Sequence, residues 1–293
     1  MEQPAIPILI HAAKSFTSNC SLKNIAAAAA LTVDATAQTN TNFLFDASAE
    51  ADGTVTITRG ASTGTATITL GQGNDTYTST STGVDTVTGT AGNNTISTGG
   101  GADSVTAGTG TETVTLGAGD DTYTTTTALF AGTDTIAGGA GTDTITISDA
   151  GTHVDADFAN ITTVEGFSFG NFATTLTLGA SATAAGINTI TDGTADATLT
   201  LGAGHTNNTT VALSTGDDTV TATNFTGVLT VTAAVASITA ADTITSGTGS
   251  DTLSITHDGT TLTAAELASV TRFETLSVAT NATTGLITLN DAN

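Results

Sequence analysis

Between residues 70 and 124 the sequence repeats every nine residues, and so short a period leaves few folds open. Six blocks read LGQGNDTYT (70–78), TSTGVDTVT (80–88), GTAGNNTIS (89–97), TGGGADSVT (98–106), AGTGTETVT (107–115) and LGAGDDTYT (116–124). Each carries a carboxylate or amide at one fixed position: Asp75, Asp85, Asn94, Asp103, Glu112, Asp121. One apolar side chain follows two residues later: Tyr77, Val87, Ile96, Val105, Val114, Tyr123. Solenoid units built from helix pairs need roughly 33 residues or more. Nine residues suit half a coil of a chain that winds back on itself, with an acidic turn in every half.

The rest of the chain agrees with a strand-and-turn fold. Of 293 residues, 73 are Thr and 33 are Gly, while Pro occurs only at Pro4 and Pro7 and aromatics make up 4%. Branched Thr fits a pleated surface, and Gly supplies tight turns. Little material remains for long helices. Residues 54–69 (TVTITRGASTGTATIT) alternate on both sides of Arg59-Gly60, as strand, turn and strand.

Charge narrows the function classes. The 27 acids face four bases, Lys14, Lys23, Arg59 and Arg272, for a formal net charge of −23. Such a chain cannot displace counterions from phosphates, so nucleic acid is excluded as a partner. Such charge reads either as a soluble acidic surface or, with the Gly-x-Gly-x-Asp spacing in favour, as clustered carboxylates neutralised by a bound divalent cation. Cys20 is the only cysteine, so no intrachain disulfide can staple the fold, and metal can take that role. No apolar run reaches the length of a membrane span. The stretch Asn24 to Val33 (NIAAAAALTV) has some features of a signal segment, but its distance from Met1 and Asp34 near the cleavage region favour an alanine-rich helix.

Residues 1–35 therefore read as an N-terminal cap or anchoring segment, followed by two β-repeat modules at 36–180 and 181–293. The first contains the nonapeptides (70–146), and the second contains degenerate ones (213–254). After Thr124 the beat is interrupted, then resumes around Asp134 and in GGAGTDTIT (138–146). It returns in LSTGDDTVT (213–221), around Asp242, and in SGTGSDTLS (246–254). A longer duplication relates the segment from Asp143 to the segment from Asp251, 108 residues later. Each copy is a repeat block, a loop, a short helical turn (DADFANI, TAAELASV) and a strand (VEGFSF, FETLSV).

The spacing carries calcium chemistry. In a GGxGxDxUx unit the glycines allow a tightly curved backbone that turns carbonyl oxygens inward, and the Asp adds a hard carboxylate. Calcium takes six to eight such oxygens in flexible geometry. Consecutive units lie on opposite sides of the coil, so equivalent turns are two units apart. Asp75, Asn94 and Glu112 then form one column and Asp85, Asp103 and Asp121 another, with the all-Asp column the stronger binder. One inward apolar residue per half-coil, at roughly 2 kcal/mol each, does not offset the ordering of nine residues at about 1–2 kcal/mol each. Residues 71–146 are thus expected to fold on binding calcium.

These blocks, GQGNDTYT, GGGADSVT, GAGDDTYT, GGAGTDTIT and GTGSDTLS above all, resemble the repeats-in-toxin (RTX) nonapeptide family. The resemblance implies an all-β, right-handed parallel β-roll or β-solenoid, here with Thr-rich strands and only short helical turns. It implies Ca2+ held at Asp75, Asp85, Asn94, Asp103, Glu112, Asp121, Asp134, Asp143, Asp218, Asp242 and Asp251. The turn glycines would be Gly71, Gly73, Gly99, Gly101, Gly117, Gly119, Gly139 and Gly141. It also implies one-step (type I) secretion from a bacterium to the cell surface or medium, with an uncleaved C-terminal signal, with which GLITLNDAN is compatible. The DT[IL]…ETLSV modules are similar to bacterial surface-layer and large extracellular β-repeat proteins.

An enzyme is not expected. The four histidines (His11, His153, His205, His257) lack ligand spacing, and no HExxH occurs. A self-assembling structural protein of surface-layer, filament or fibre type is the leading reading. An adhesin segment, with cell-surface polysaccharide as its target, and an ice-binding face of Thr-x-Thr rows are the alternatives.

Overall fold

A computed structural model describes residues 8–11, 20–21, 30–38, 42–51, 53–130, 132–257 and 261–280. Residues 24–29 of the alanine-rich stretch and GLITLNDAN lie outside these residues, and the last part of that stretch enters a strand, Leu31–Ala35, rather than a helix. The protein is an all-β parallel solenoid of about eleven turns with almost no helix, and its winding fits a right-handed β-roll. It divides into two compact units, Met1–Ile145 with Asn160–Val164, and Thr146–Ala159 with Glu165–Asn293.

In the first unit, successive strands alternate between two sheets. One stacks Ile8–His11, Leu31–Ala35, Val55–Arg59, Thr76–Ser79, Thr95–Ser97, Thr113–Ala118, Thr135–Ala140 and Ile161–Thr162. The other stacks Cys20–Ser21, Phe43–Asp46, Ala66–Thr69, Asp85–Thr88, Ser104–Thr106, Thr122–Thr125 and the start of Thr144–Ile147. Pairing is parallel and in register, so like residues sit on like. Ile57, Tyr77, Ile96, Val114 and Ile136 form one apolar ladder, and Ile68, Val87, Val105 and Tyr123 form the other. Side chains alternate across a strand. The apolar residue therefore points into the coil, while the Thr residues beside it, such as Thr113 and Thr115, face outward.

The second unit has a fuller core. Its sheets stack Gly166–Phe169, Thr189–Thr191, Thr209–Ala212, Leu229–Ala234, Thr252–His257 and Thr275–Thr280, and separately Gly151–His153, Thr174–Leu178, Ala197–Leu201, Thr219–Thr221, Thr243–Thr245 and Val270–Thr271. Here whole apolar sets such as Leu176 and Leu178, or Leu199 and Leu201, are buried, and Phe167 meets Phe158 and Phe169 at centroid distances of 5.2 and 5.6 Å. The DADFANI turn is a 3-10 helix, Asp155–Phe158, while TAAELASV winds as a run of turns. A short α-helix, Ala180–Ala185, has no counterpart in the nonapeptide pattern. Asp155 caps it from the preceding coil, accepting the Gly179, Ser181 and Ala182 N–H groups. Burial pulls this carboxyl upward, but those donors win and hold it below the usual carboxylate range.

Candidate metal centre

The acid of each nonapeptide precedes the inward apolar residue by two, so strand alternation sends both to the same face. Asp75, Asp85, Asn94, Asp103, Glu112, Asp121, Asp134 and Asp143 are all buried, none more than 3% exposed. They stack as two columns. Asp75, Asn94, Glu112 and Asp134 belong to one, and Asp85, Asp103, Asp121 and Asp143 to the other.

A single hydrogen-bond rule builds each column. The N–H of the acidic residue in one coil donates to the acidic side chain of the next. Asp85 N–H donates to Asp103 Oδ1 at 2.7 Å, Asp103 N–H to Asp121 Oδ1 at 2.6 Å, and Asp121 N–H to Asp143 Oδ1 at 2.9 Å. In the other column Val55 N–H donates to Asp75 at 2.7 Å, Asp75 N–H to Asn94 at 3.0 Å, and Glu112 N–H to Asp134 at 2.9 Å. Asn94 and Glu112 depart from the pattern together, because the Asn94 amide donates to Glu112 Oε1 at 3.2 Å. The second unit repeats the rule, from Ala197 to Asp218, Asp218 to Asp242, and Leu229 to Asp251.

The second oxygen of each acid separates the turns into two kinds. Some are already satisfied by protein. Asp75 takes Gly71 N–H, Asp242 takes Thr239 N–H and Asp251 takes Gly247 N–H. Asp134 takes the Tyr123 hydroxyl at 3.0 Å. Asp85 takes the Tyr77 hydroxyl at 2.7 Å and is also ion-paired with Arg59, whose side chain is fully buried. Elsewhere the second oxygen is buried with no partner: Asp103 Oδ2, Glu112 Oε2, Asp121 Oδ2 and Asp218 Oδ2. Burial raises the pKa of all four, to about 7 for Asp103 and Asp218. Charges stacked one coil apart add to this at Asp103, which feels Asp85 and Asp121. An orphaned, desolvated carboxylate oxygen is costly unless it meets a cation or a proton. These oxygens therefore fit a hard divalent ion.

The turns around them are built on close backbone approach. Gly99, Gly117 and Gly139 stack with φ of +95°, +113° and +119°. A Cβ on Gly117 or Gly139 would overlap the carbonyl oxygen of the glycine one coil before. Gly101, Gly119 and Gly141 form a second such stack at positive φ. Gly71 and Gly73 do not have positive φ, and Gly73 is required by its contact with the Gly53 carbonyl. Among the described residues no three His, Cys, Asp or Glu side chains converge as a ready metal cluster. An ion here draws on main-chain carbonyls together with the carboxylates, as calcium does.

Sequence reasoning missed the protein's own partners for the acids. Arg59 lies 26 residues before Asp85 and outside the repeat. Tyr77 and Tyr123 gave a visible signal, since they are the only two tyrosines and both stand where the other blocks carry Val or Ile. Glu50 and Asp192, both buried, were also missed.

No characterised protein and no solved structure matches the chain significantly. The family described as RTX calcium-binding nonapeptide repeat does match, in four copies at residues 79–114, 88–123, 130–146 and 239–254. The first two matched segments contain Asp103, Glu112 and Asp121, three of the acids with an orphaned oxygen. The chain thus carries RTX calcium-binding nonapeptide repeats wound as a parallel β-roll, and calcium is the ion that such repeats bind.

Proposed function

We propose that this is a calcium-binding extracellular structural protein that folds on calcium and self-assembles into a surface layer, filament or fibre. The observation that carries the reading is the pair of buried acidic columns. Asp103, Glu112 and Asp121 each hold an unpartnered oxygen inside coils whose apolar core is one ladder per sheet. Calcium at these turns would neutralise that charge and supply the missing partners. The binding set we assign is Asp103, Glu112 and Asp121, backed by carbonyls of the glycine turns. At Asp85 the Arg59 guanidinium already supplies a positive charge.

Export fits the family, whose members are typically bacterial and secreted. No helix among the described residues is long and apolar enough to cross a membrane. Self-association is favoured by the apolar side chains of Thr275–Thr280, which among the described residues pairs with Thr252–His257 and has Leu276 and Val278 38% and 40% exposed. No catalytic role is assigned. The outward Thr rungs of both sheets also suit an adhesin segment that binds surface polysaccharide, or an ice-binding face.

Electron microscopy of the protein with calcium and with excess EGTA tests the assembly reading. Sheets or filaments that appear with calcium and disperse in EGTA support it. Monodisperse particles at every calcium concentration contradict it and favour the adhesin reading, and thermal hysteresis would favour the ice-binding one.

A further inference from the structure

We propose that Asp192 and Asp218 together form a further calcium site, with one carboxylate at a position the nonapeptide pattern does not use. The inference rests on the calcium reading above and adds a ligand that the motif does not contain.

The register identifies the displaced carboxylate. Thr198, Leu199 and Thr200 pair with Thr219, Val220 and Thr221, so Ala197 stands opposite Asp218. Ala197 occupies the sixth position of its turn, where the repeat would carry the acid. Its N–H still donates to Asp218 Oδ1 at 2.9 Å, so the column rule holds, but that turn brings no carboxylate at the usual place. Five residues earlier, at the first position, stands Asp192. Other turns carry Leu70, Leu116 or Leu213 at that position.

Asp192 is turned inward, 8% exposed, and Asp218 is fully buried. Both also accept from backbone: Asp192 Oδ2 from Ser214 N–H at 3.3 Å, with Gly193 N–H acting on the same carboxyl, and Asp218 Oδ1 from Ala197 N–H. Each keeps the other oxygen buried without a partner, Asp192 Oδ1 and Asp218 Oδ2. The two carboxyl groups lie within hydrogen-bonding reach of each other. Desolvation raises both, Asp192 to about 6 and Asp218 to about 7, and Asp196 and Asp242 add negative charge around Asp218. No basic side chain acts on either among the described residues. Two buried carboxylates sharing one small space must hold a proton or a cation. In a chain built to bind calcium, the pair with adjacent turn carbonyls offers the hard oxygen donors that ion takes.

The first unit contains the same displacement. Glu50 stands five residues before Val55, which pairs opposite Asp75, and its charge acts on Asp75. In that case Asp75 has both oxygens on backbone N–H groups, so the second unit holds the more open pair.

Native mass spectrometry of the full chain, titrated with calcium alone, counts the ions. The wild type should hold one ion more than Asp192→Leu, a side chain already accommodated at this position in other coils. Asp192→Asn keeps an acceptor for Ser214 N–H and guards against misfolding. It should lower the affinity of that one ion at least 10-fold, with calcium no longer slowing amide exchange across residues 192–219. An unchanged ion count in Asp192→Leu with unchanged affinity in Asp192→Asn overturns this site, since the pair then holds a proton, and leaves the calcium reading intact. A wild type that holds no calcium overturns both.

Discussion

The N–H of Asp103 donates to Oδ1 of Asp121, one coil later, at 2.6 Å, while the other oxygen of Asp121 is buried without a partner. One side chain thus does two separable jobs. Its neutral hydrogen-bonding capacity holds coil to coil, and its charge awaits an ion. Asp121→Asn keeps the first and removes the second. We expect it to match or exceed the wild type in stability without calcium, and to lose a large part of the gain on adding calcium. Asp121→Ala also orphans the Asp103 N–H and should cost about 1–3 kcal/mol in calcium. Urea denaturation with and without calcium measures both. Equal behaviour of the two variants would show that the charge has no separate role.

Arg59 acts as a built-in cation for Asp85. Replacing one partner of a buried pair strands the other charge, at a cost of about 3–5 kcal/mol. Arg59→Gln should therefore destabilise the chain by that amount, and Tyr77→Phe by about 1 kcal/mol through loss of its hydroxyl bond to Asp85. Chemical denaturation in calcium reads both. An Arg59→Gln loss below about 1 kcal/mol would place the pair among interactions of little consequence.

The glycine stack can be tested by contrast. Gly117 has φ +113°, and a Cβ there meets the Gly99 carbonyl, so Gly117→Ala should cost at least about 1–2 kcal/mol. At Gly100 an added Cβ finds its nearest neighbour at 3.4 Å and φ is not positive, so Gly100→Ala should be tolerated. Melting temperatures of the two variants in saturating calcium give the comparison. Equal melting would remove the close-approach argument.

The acidic columns set an unusual pH dependence. Burial raises Asp103 and Asp218 to about 7 and Asp75 and Asp192 to about 6, above the ordinary value near 4. Between about pH 4 and 7 the folded chain then binds protons that the unfolded chain has released, so stability without calcium rises as pH falls through that window. Protons and calcium compete for the same oxygens, so the calcium-induced rise in melting temperature should be larger at pH 8 than at pH 5. Scanning calorimetry in EGTA and in calcium at both pH values checks this. A calcium-free form that melts lower at pH 5 than at pH 8 would contradict it.

Much of this architecture was legible in the sequence because the period fixes the fold almost alone. The nine-residue spacing of Asp85, Asn94, Asp103, Glu112 and Asp121 is recovered in the columns, with Asn94 and Glu112 in one and Asp85, Asp103 and Asp121 in the other. Burial of the acids was equally available, since Asp85 and Val87 differ by two and must share a face. The partners were not legible. Arg59 and Asp85 meet across the coil interior, and which side chain crosses is decided by packing between sheets. Asp192 emerges only when the register sets Ala197 against Asp218. The second set of strands in the second unit, Thr174–Leu178 through Val270–Thr271, follows Thr/Leu alternation with longer coils that no nine-residue period announces.

The central claim is that the repeats fold on calcium, and amide hydrogen exchange on the full chain tests it most directly. In EGTA residues 71–146 should exchange rapidly, and saturating calcium should protect them. The second unit, with its fuller core of Phe158, Phe167, Leu176 and Leu199, should remain more protected in EGTA. Protection across 71–146 that is the same in EGTA and in calcium would contradict the account.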